Sequence, residues 1–220
     1  MRVLIFGATG MVGQGVLREC LLEPDVSLVQ TIGRTATGLK HPKLRETVHA
    51  DLLHYDAMED QLGGFDACFF CLGVSSAGMS EPEYQRLTYG ITMAAAETLA
   101  RLNPGMTFVY VSGAGTDSSE KGRSMWARVK GKTENALLSL PFKAAYMFRP
   151  AGIQPMNGER SKTPAYRLFY SLIVILLPLI RRILPAYVLT TEEIGRAMIG
   201  VARRGFPKKI LESSDIRNAV

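Results

Sequence analysis

The stretch that decides the fold is Met1-Arg2-Val3-Leu4-Ile5-Phe6-Gly7-Ala8-Thr9-Gly10-Met11-Val12-Gly13. The continuous apolar run Val3–Phe6 has the character of a strand covered on both faces. Gly7, Gly10 and Gly13 follow in even spacing, and the amphipathic run Met11–Leu22 continues from them. Glycines set this way permit a tight turn and let a diphosphate approach the backbone. Free N–H groups and the helix dipole then stabilise its charge. A glycine run alone says little, but between a strand and a helix it points to a dinucleotide, held by Gly7, Thr9, Gly10, Met11, Val12 and Gly13.

Outward from this loop the chain alternates short apolar runs with helical ones. Strands are expected near Val26–Ile32, Thr47–Ala50, Phe65–Cys71, Met106–Val111 and Ala144–Phe148. Helices are expected over Met11–Leu22, Asp56–Leu62, Glu81–Leu102 and Lys121–Leu140. This order predicts an α/β protein with a doubly wound parallel sheet (Rossmann) and a small helical C-terminal cap. Residues 1–220 read as one such domain, with the proline-interrupted segment 151–190 as the cap or substrate-side elaboration. Thr190-x-x-Glu193 predicts a capping box that opens a helix over Thr191–Arg204, and Gly205 with Pro207 ends it.

Composition narrows the function classes. The chain has 220 residues, 47% hydrophobic and 21% charged, which are ordinary globular values and exclude a disordered or collagen-like chain. Its net charge of +6 is carried by nothing longer than the doublets Arg181-Arg182, Arg203-Arg204 and Lys208-Lys209. A small anionic molecule suits that surplus, and no nucleic-acid-binding signature accompanies it. Three cysteines make no disulfide framework, and a secretory leader would have to be cut inside the glycine loop, so a cytoplasmic location is expected. Residues 168–180 are apolar but too few for a ~20-residue span, and read as a buried helix before a membrane-surface segment.

An NAD pocket places an acid ~20 residues after the glycine loop. None stands in residues 26–45, whereas Arg34 follows the second strand directly, and a guanidinium there suits a 2′-phosphate. The reading is therefore NADP in preference to NAD. Asp51 and Leu52 should border the adenine, and Cys71-Leu72-Gly73 the middle of the cofactor.

Together these residues resemble the short-chain dehydrogenase/reductase superfamily, in its atypical NmrA-like and Tat-interacting-protein-like branch. The resemblance rests on the Gly7-x-x-Gly10-x-x-Gly13 spacing, the Asp51-Leu52 pair and the strand-end serine of Val111-Ser112-Gly113. Arg149, Pro150 and Ile153 resemble the segment that covers the nicotinamide in extended members. The family's Ser and Tyr-x-x-x-Lys signature falls on Ser112 and Lys130, but Trp126 stands in the tyrosine's place. An indole N–H can donate a hydrogen bond and cannot titrate near neutral pH, so the usual proton relay is absent. The resemblance implies that Ser112 polarises a carbonyl and Lys130 holds the nicotinamide ribose.

The resulting expectation is an oxidoreductase that reduces a small apolar carbonyl or enone. The alternative is a non-catalytic sensor or adaptor that responds to NADP(H). No metal site is expected: His41, His49 and His54 lack ligand spacing. Cys68 and Cys71 should point to opposite faces of a strand and serve as core residues. Tyr110 should be a packed strand tyrosine, and Ala94-Ala95-Ala96 suits a close helix contact, within the fold or in a homodimer.

Overall fold

The structure is a computed structural model, and it describes residues 1–159 and 187–220. The apolar run 168–180 and most of the expected cap lie outside the described residues. β1 (Arg2–Phe6) leads through the glycine loop into α1 (Met11–Leu22), which returns to β2 (Leu28–Gly33) and then β3 (Leu44–Val48). A 3-10 turn over Asp56–Gln61 precedes β4 (Ala67–Phe70). α2 (Glu81–Gln85) runs through a π turn at Arg86–Gly90 into α3 (Ile91–Leu102), as one continuous helical stretch in place of the expected regular helix. β5 (Thr107–Val111), α4 (Met125–Ser139) and β6 (Ala144–Arg149) follow. β7 (Gly152–Gln154), β8 (Val188–Thr190), α5 (Thr191–Arg204), β9 (Ile210–Glu212) and α6 (Ser213–Asn218) end the chain.

The main sheet is parallel throughout, in the order β3-β2-β1-β4-β5-β6-β9. That is the doubly wound order, and its direction reverses between β1 and β4, where ligands of such sheets bind. Alternate residues of each strand enter two separate cores. Val3, Ile5, Val29, Phe69, Val109 and Phe148 pack against α1 and α5. Leu4, Phe6, Ile32, Cys68, Phe70 and Phe108 pack against α3 and α4 on the other face. Burying each phenylalanine contributes roughly 2–3 kcal/mol, so the strands are held by their side chains as well as by the ladder.

Several expectations shift by a few residues for identifiable reasons. β3 lies at Leu44–Val48 instead of Thr47–Ala50, because this half-exposed edge strand carries Arg45 and Glu46 where a buried strand would be apolar. α4 begins at Met125, not Lys121: the Asp117 carboxylate accepts from the Ser119 and Gly122 amides and folds the preceding residues into a turn. Within the expected irregular cap, β7 and β8 pair in a short parallel ladder. The capping box of α5 is present, with the Glu193 amide donating to Thr190 Oγ1 at 3.0 Å and the Thr190 amide to the Glu193 carboxylate at 2.7 Å. Ala95 and Ala96 are buried inside the second core, so their small size serves packing within the fold.

Candidate functional site

The glycine loop joins the carboxyl end of β1 to the start of α1. Gly7 has φ +79°, and a Cβ there would stand 2.6 Å from the Leu72 nitrogen and 2.7 Å from the Cys71 carbonyl carbon. A Cβ on Gly13 would overlap the Gly7 carbonyl oxygen. Both residues must therefore be glycine for the loop to lie against Cys71 and Leu72 at the end of β4, with Gly73 next in the chain. Gly10 caps α1 with extended backbone and no side-chain partner, its own amide donating to the Gly7 carbonyl at 2.9 Å. Thr9 is tied in by Gln14, whose amide donates to its carbonyl at 3.0 Å. Met11 and Val12 form the first turn of the helix. The result is a cradle of backbone that side chains would fill, at the sheet's switch point, beside a helix N-terminus. These features fit a dinucleotide diphosphate.

A second cluster lies where β5 and β6 end against α4. Gly131 packs so closely on the loop after Thr116 that a Cβ would collide with the Asp117 carbonyl, which brings α4 down onto the sheet edge. Lys130, on that stretch of helix, donates from Nζ to the Ser112 carbonyl oxygen. Atoms crowd the ammonium on nearly every side although the residue keeps some accessible surface. Burial pushes its pKa down to about 8, with the Glu134 charge pulling the other way.

Ser112 Oγ lies 2.5 Å from the Glu134 carboxylate and 3.1 Å from the Phe148 carbonyl, both acceptors. Its one hydrogen is thus directed within the protein. Glu134 is fully buried and clasped by Arg149, whose Nε donates to the two carboxylate oxygens at 3.0 and 3.2 Å and whose Nη2 donates to one of them. Arg149 also reaches Ser118 Oγ at 2.5 Å. Trp126 stands one turn before Lys130, its ring edge 3.5 Å from where a Cβ on Gly115 would be.

The remaining expected positions fall in varied surroundings. Asp51 lies in the turn after β3, not at the strand's end. Its carboxylate meets His54 Nδ1 at 2.8 Å and the Leu53 amide at 3.0 Å. These hydrogen bonds, that to His54 foremost, hold its pKa below the usual range. Leu52 is buried in the core beside Tyr55 and Phe6. Pro150 accepts from the Ala114 amide at 3.0 Å, which joins the end of β6 to the end of β5, and Ile153 pairs with Leu189 in the short ladder. Cys68 and Cys71 belong to different cores, and burial pushes the Cys71 thiol up to about 12, far from a reactive pair. Tyr110 is a packed strand tyrosine whose ionisation burial opposes. Among the described residues, no group of three or more His, Cys, Asp or Glu side chains is arranged to hold a metal ion.

Two site residues escape a reading of the sequence alone. Glu134 stands four residues after Lys130, a spacing that marks a shared helix face, but only the pairing of β5 with β6 brings Ser112 and Arg149 to it. Glu46 lies one residue beyond the window searched for a ribose acid. The loop after β2 folds back on it, with the Thr37 and Gly38 amides donating to its carboxylate at 2.6 and 3.2 Å. Burial pushes Glu46 up, but those hydrogen bonds outweigh it and its pKa is lowered.

Fold and loop together define an NAD(P)-binding Rossmann protein of the extended short-chain dehydrogenase/reductase superfamily. Residues 3–124, more than half of the chain, match the NAD dependent epimerase/dehydratase family. The chain belongs to that family and is an NAD(P)-dependent oxidoreductase of its type. Among named relatives, it is 28% identical over 218 residues to protein FMP52-2, mitochondrial, of Scheffersomyces stipitis, covering 94% of this chain and 90% of that one. It is 27% identical to protein FMP52, mitochondrial, of Meyerozyma guilliermondii, covering 92% and 85%. Two solved structures share the fold. Bordetella bronchiseptica WbmF in complex with NAD+ has a TM-score of 0.69 at 16% identity, covering 99% of this chain and 76% of that one. DesIV of Streptomyces venezuelae, a dTDP-glucose 4,6-dehydratase with NAD and TYD bound, has a TM-score of 0.70 at 18% identity, covering 96% and 75%.

Two expectations are corrected by these findings. The preference for NADP does not stand: the similar structures whose dinucleotide is named hold NAD. In this chain the Thr37 and Gly38 amides, a few residues beyond Arg34, donate to the Glu46 carboxylate, which puts a negative charge in the loop after β2. The cytoplasmic location does not stand either, since the FMP52 relatives are named as mitochondrial. Three cysteines with no disulfide framework suit any reducing compartment, the mitochondrial matrix as well as the cytosol. Among the described residues no helix is long and apolar enough to cross a membrane.

Proposed function

We propose that this protein transfers hydride between NAD(H) and a small apolar carbonyl or enone. The observation that carries the reading is the contact of Gly7 with the end of β4, a backbone cradle at the point where the sheet order reverses. Gly7, Thr9, Gly10, Met11, Val12 and Gly13 would hold the diphosphate, and Asp51 and Leu52 would border the adenine side. Cys71, Leu72 and Gly73 would line the middle of the cofactor. Ser112 and Lys130 would form the reacting end, with Arg149, Pro150 and Ile153 beside it. When bound, the dinucleotide supplies or accepts the hydride. The narrower kinship with NmrA-like and Tat-interacting-protein-like proteins is part of this reading, supported by the Gly7-x-x-Gly10-x-x-Gly13 spacing and by the Asp51-Leu52 pair.

The test is a calorimetric and fluorescence titration with NADH, NAD+, NADPH and NADP+. Saturable NADH binding, weakened by Gly7→Ala, supports the proposal. Heat or fluorescence change with none of the four nucleotides sinks it.

A further inference from the structure

We propose that Lys130 is the acid that protonates the substrate oxygen, in the place a tyrosine would have taken. The inference rests on the hydride-transfer reading above and adds the group that completes it. Four features of the edge formed by β5 and α4 carry it. Trp126 holds no labile proton near neutral pH. The Ser112 hydroxyl hydrogen is directed to Glu134 or to the Phe148 carbonyl. Arg149 is bound to Glu134, and a guanidinium does not give up a proton in this range. The Lys130 ammonium, by contrast, meets one acceptor among the described residues, the Ser112 carbonyl, and keeps two N–H bonds to offer.

The charged and titratable groups about Lys130 favour such a role. Glu134 on its own helix is neutralised by Arg149 from β6, which also reaches Glu212 on β9. Tyr110 on β5 is buried, and burial opposes its ionisation. Burial outweighs the Glu134 charge that favours the ammonium and brings the Lys130 pKa to about 8. That value keeps most of the group protonated at pH 7 while leaving it willing to release the proton.

The step balances. Hydride from NADH forms a C–H bond at the carbonyl carbon, and the carbonyl π pair moves onto oxygen. One Lys130 N–H bond breaks, its electron pair stays on nitrogen, and the proton forms the O–H bond. NADH leaves as NAD+, and the neutral amine regains a proton from water.

Three measurements decide it. Competitive acetylation of the full chain with acetic anhydride across pH 6–11, read by mass spectrometry, should show Lys130 half-titrated near pH 8 in the folded protein and well above that once the chain is unfolded in urea. Lys130 titrating alike in the folded and unfolded chain overturns the inference. With NADH and the probe diketone 9,10-phenanthrenequinone, hydride transfer should fall about tenfold per pH unit above pH 8, and Lys130→Met should lower the rate at pH 7 at least ~100-fold. A pH profile unchanged in Lys130→Met, or a wild type that binds NADH and reduces no diketone between pH 6 and 9, overturns it. Failure of the wild type to bind NADH at all, by contrast, removes the parent reading.

Discussion

Ser112 and Glu134 share a hydrogen bond of 2.5 Å between residues 22 positions apart, at the seam of β5 and α4. The carboxylate is wholly buried and its charge is met by Arg149, whose side chain is 11% exposed. Removing Glu134 leaves the nearly buried Arg149 to the more distant Glu212 carboxylate at 3.5 Å, at a cost of about 3 kcal/mol. Glu134→Ala should lower the stability read from urea unfolding by about that amount. Adding Arg149→Met should restore part of it, since the stranded charge is then gone. A loss under ~1 kcal/mol in the single variant would show that the pair contributes little.

Two glycines of nearly equal φ separate backbone strain from steric contact. A Cβ on Gly7 (φ +79°) would stand within 3 Å of Leu72 and Cys71, whereas one on Gly38 (φ +78°) would meet nothing within 4 Å. Gly38→Ala should cost only the ~1–2 kcal/mol of a left-handed residue. Gly7→Ala should cost more and weaken NADH binding at least ~10-fold, a ΔΔG of ~1.4 kcal/mol. Equal effects on thermal midpoint and on nucleotide affinity would mean that the loop does not need its close approach.

Glu46 draws the loop after β2 onto itself through the Thr37 and Gly38 amides. Glu46→Gln removes the negative charge from that loop, and NADPH affinity should rise relative to NADH by on the order of tenfold. Fluorescence titration of both nucleotides checks this. A ratio that does not move would separate Glu46 from the choice of cofactor.

Lys130 carries a folding penalty. Its folded pKa of about 8 lies below its ordinary value, so the charged form is disfavoured by folding. The penalty is complete below pH 8 and is relieved as pH rises from there toward the unfolded value. Lys130→Met should therefore be more stable than wild type at pH 7, by about 2 kcal/mol once the lost Ser112 hydrogen bond is deducted. That advantage should shrink toward pH 10. Guanidinium unfolding at pH 7, 8.5 and 10 measures the trend, and an advantage that grows with pH would contradict it.

Trp126→Tyr places a phenol one turn from the Lys130 amine. With an ordinary pKa near ~10, the phenol stays protonated where the amine has lost its proton. Diketone reduction should therefore hold up above pH 8 in this variant while it declines in wild type. Identical pH profiles would show that position 126 does not face the reacting atoms.

Much of the fold was legible because its signals are local. Val3–Phe6 followed by spaced glycines specifies strand, loop and helix through backbone preference alone, and Met11–Leu22 and Thr191–Arg204 fall where their periodicity and caps put them. The edge strand β3 was expected a few residues too late, and the three-residue strands β7, β8 and β9 were not legible, because half-exposed or very short strands bury too few side chains to leave a clear pattern. The site divides the same way. Gly7, Gly10, Gly13, Ser112 and Lys130 stand out by residue type and spacing, while the importance of Glu134 and Glu46 is not visible in either.

What the linear chain determined by itself, then, is the alternating architecture and the glycine turn, since both arise from interactions between residues close in sequence. What only the folded molecule decided is which charges and protons meet: Arg149 with Glu134, Ser112 with both Glu134 and Phe148, Glu46 with the loop after β2. Those contacts depend on strand order and on how closely Gly131 lets α4 approach the sheet, and burial then sets the strength of each charge.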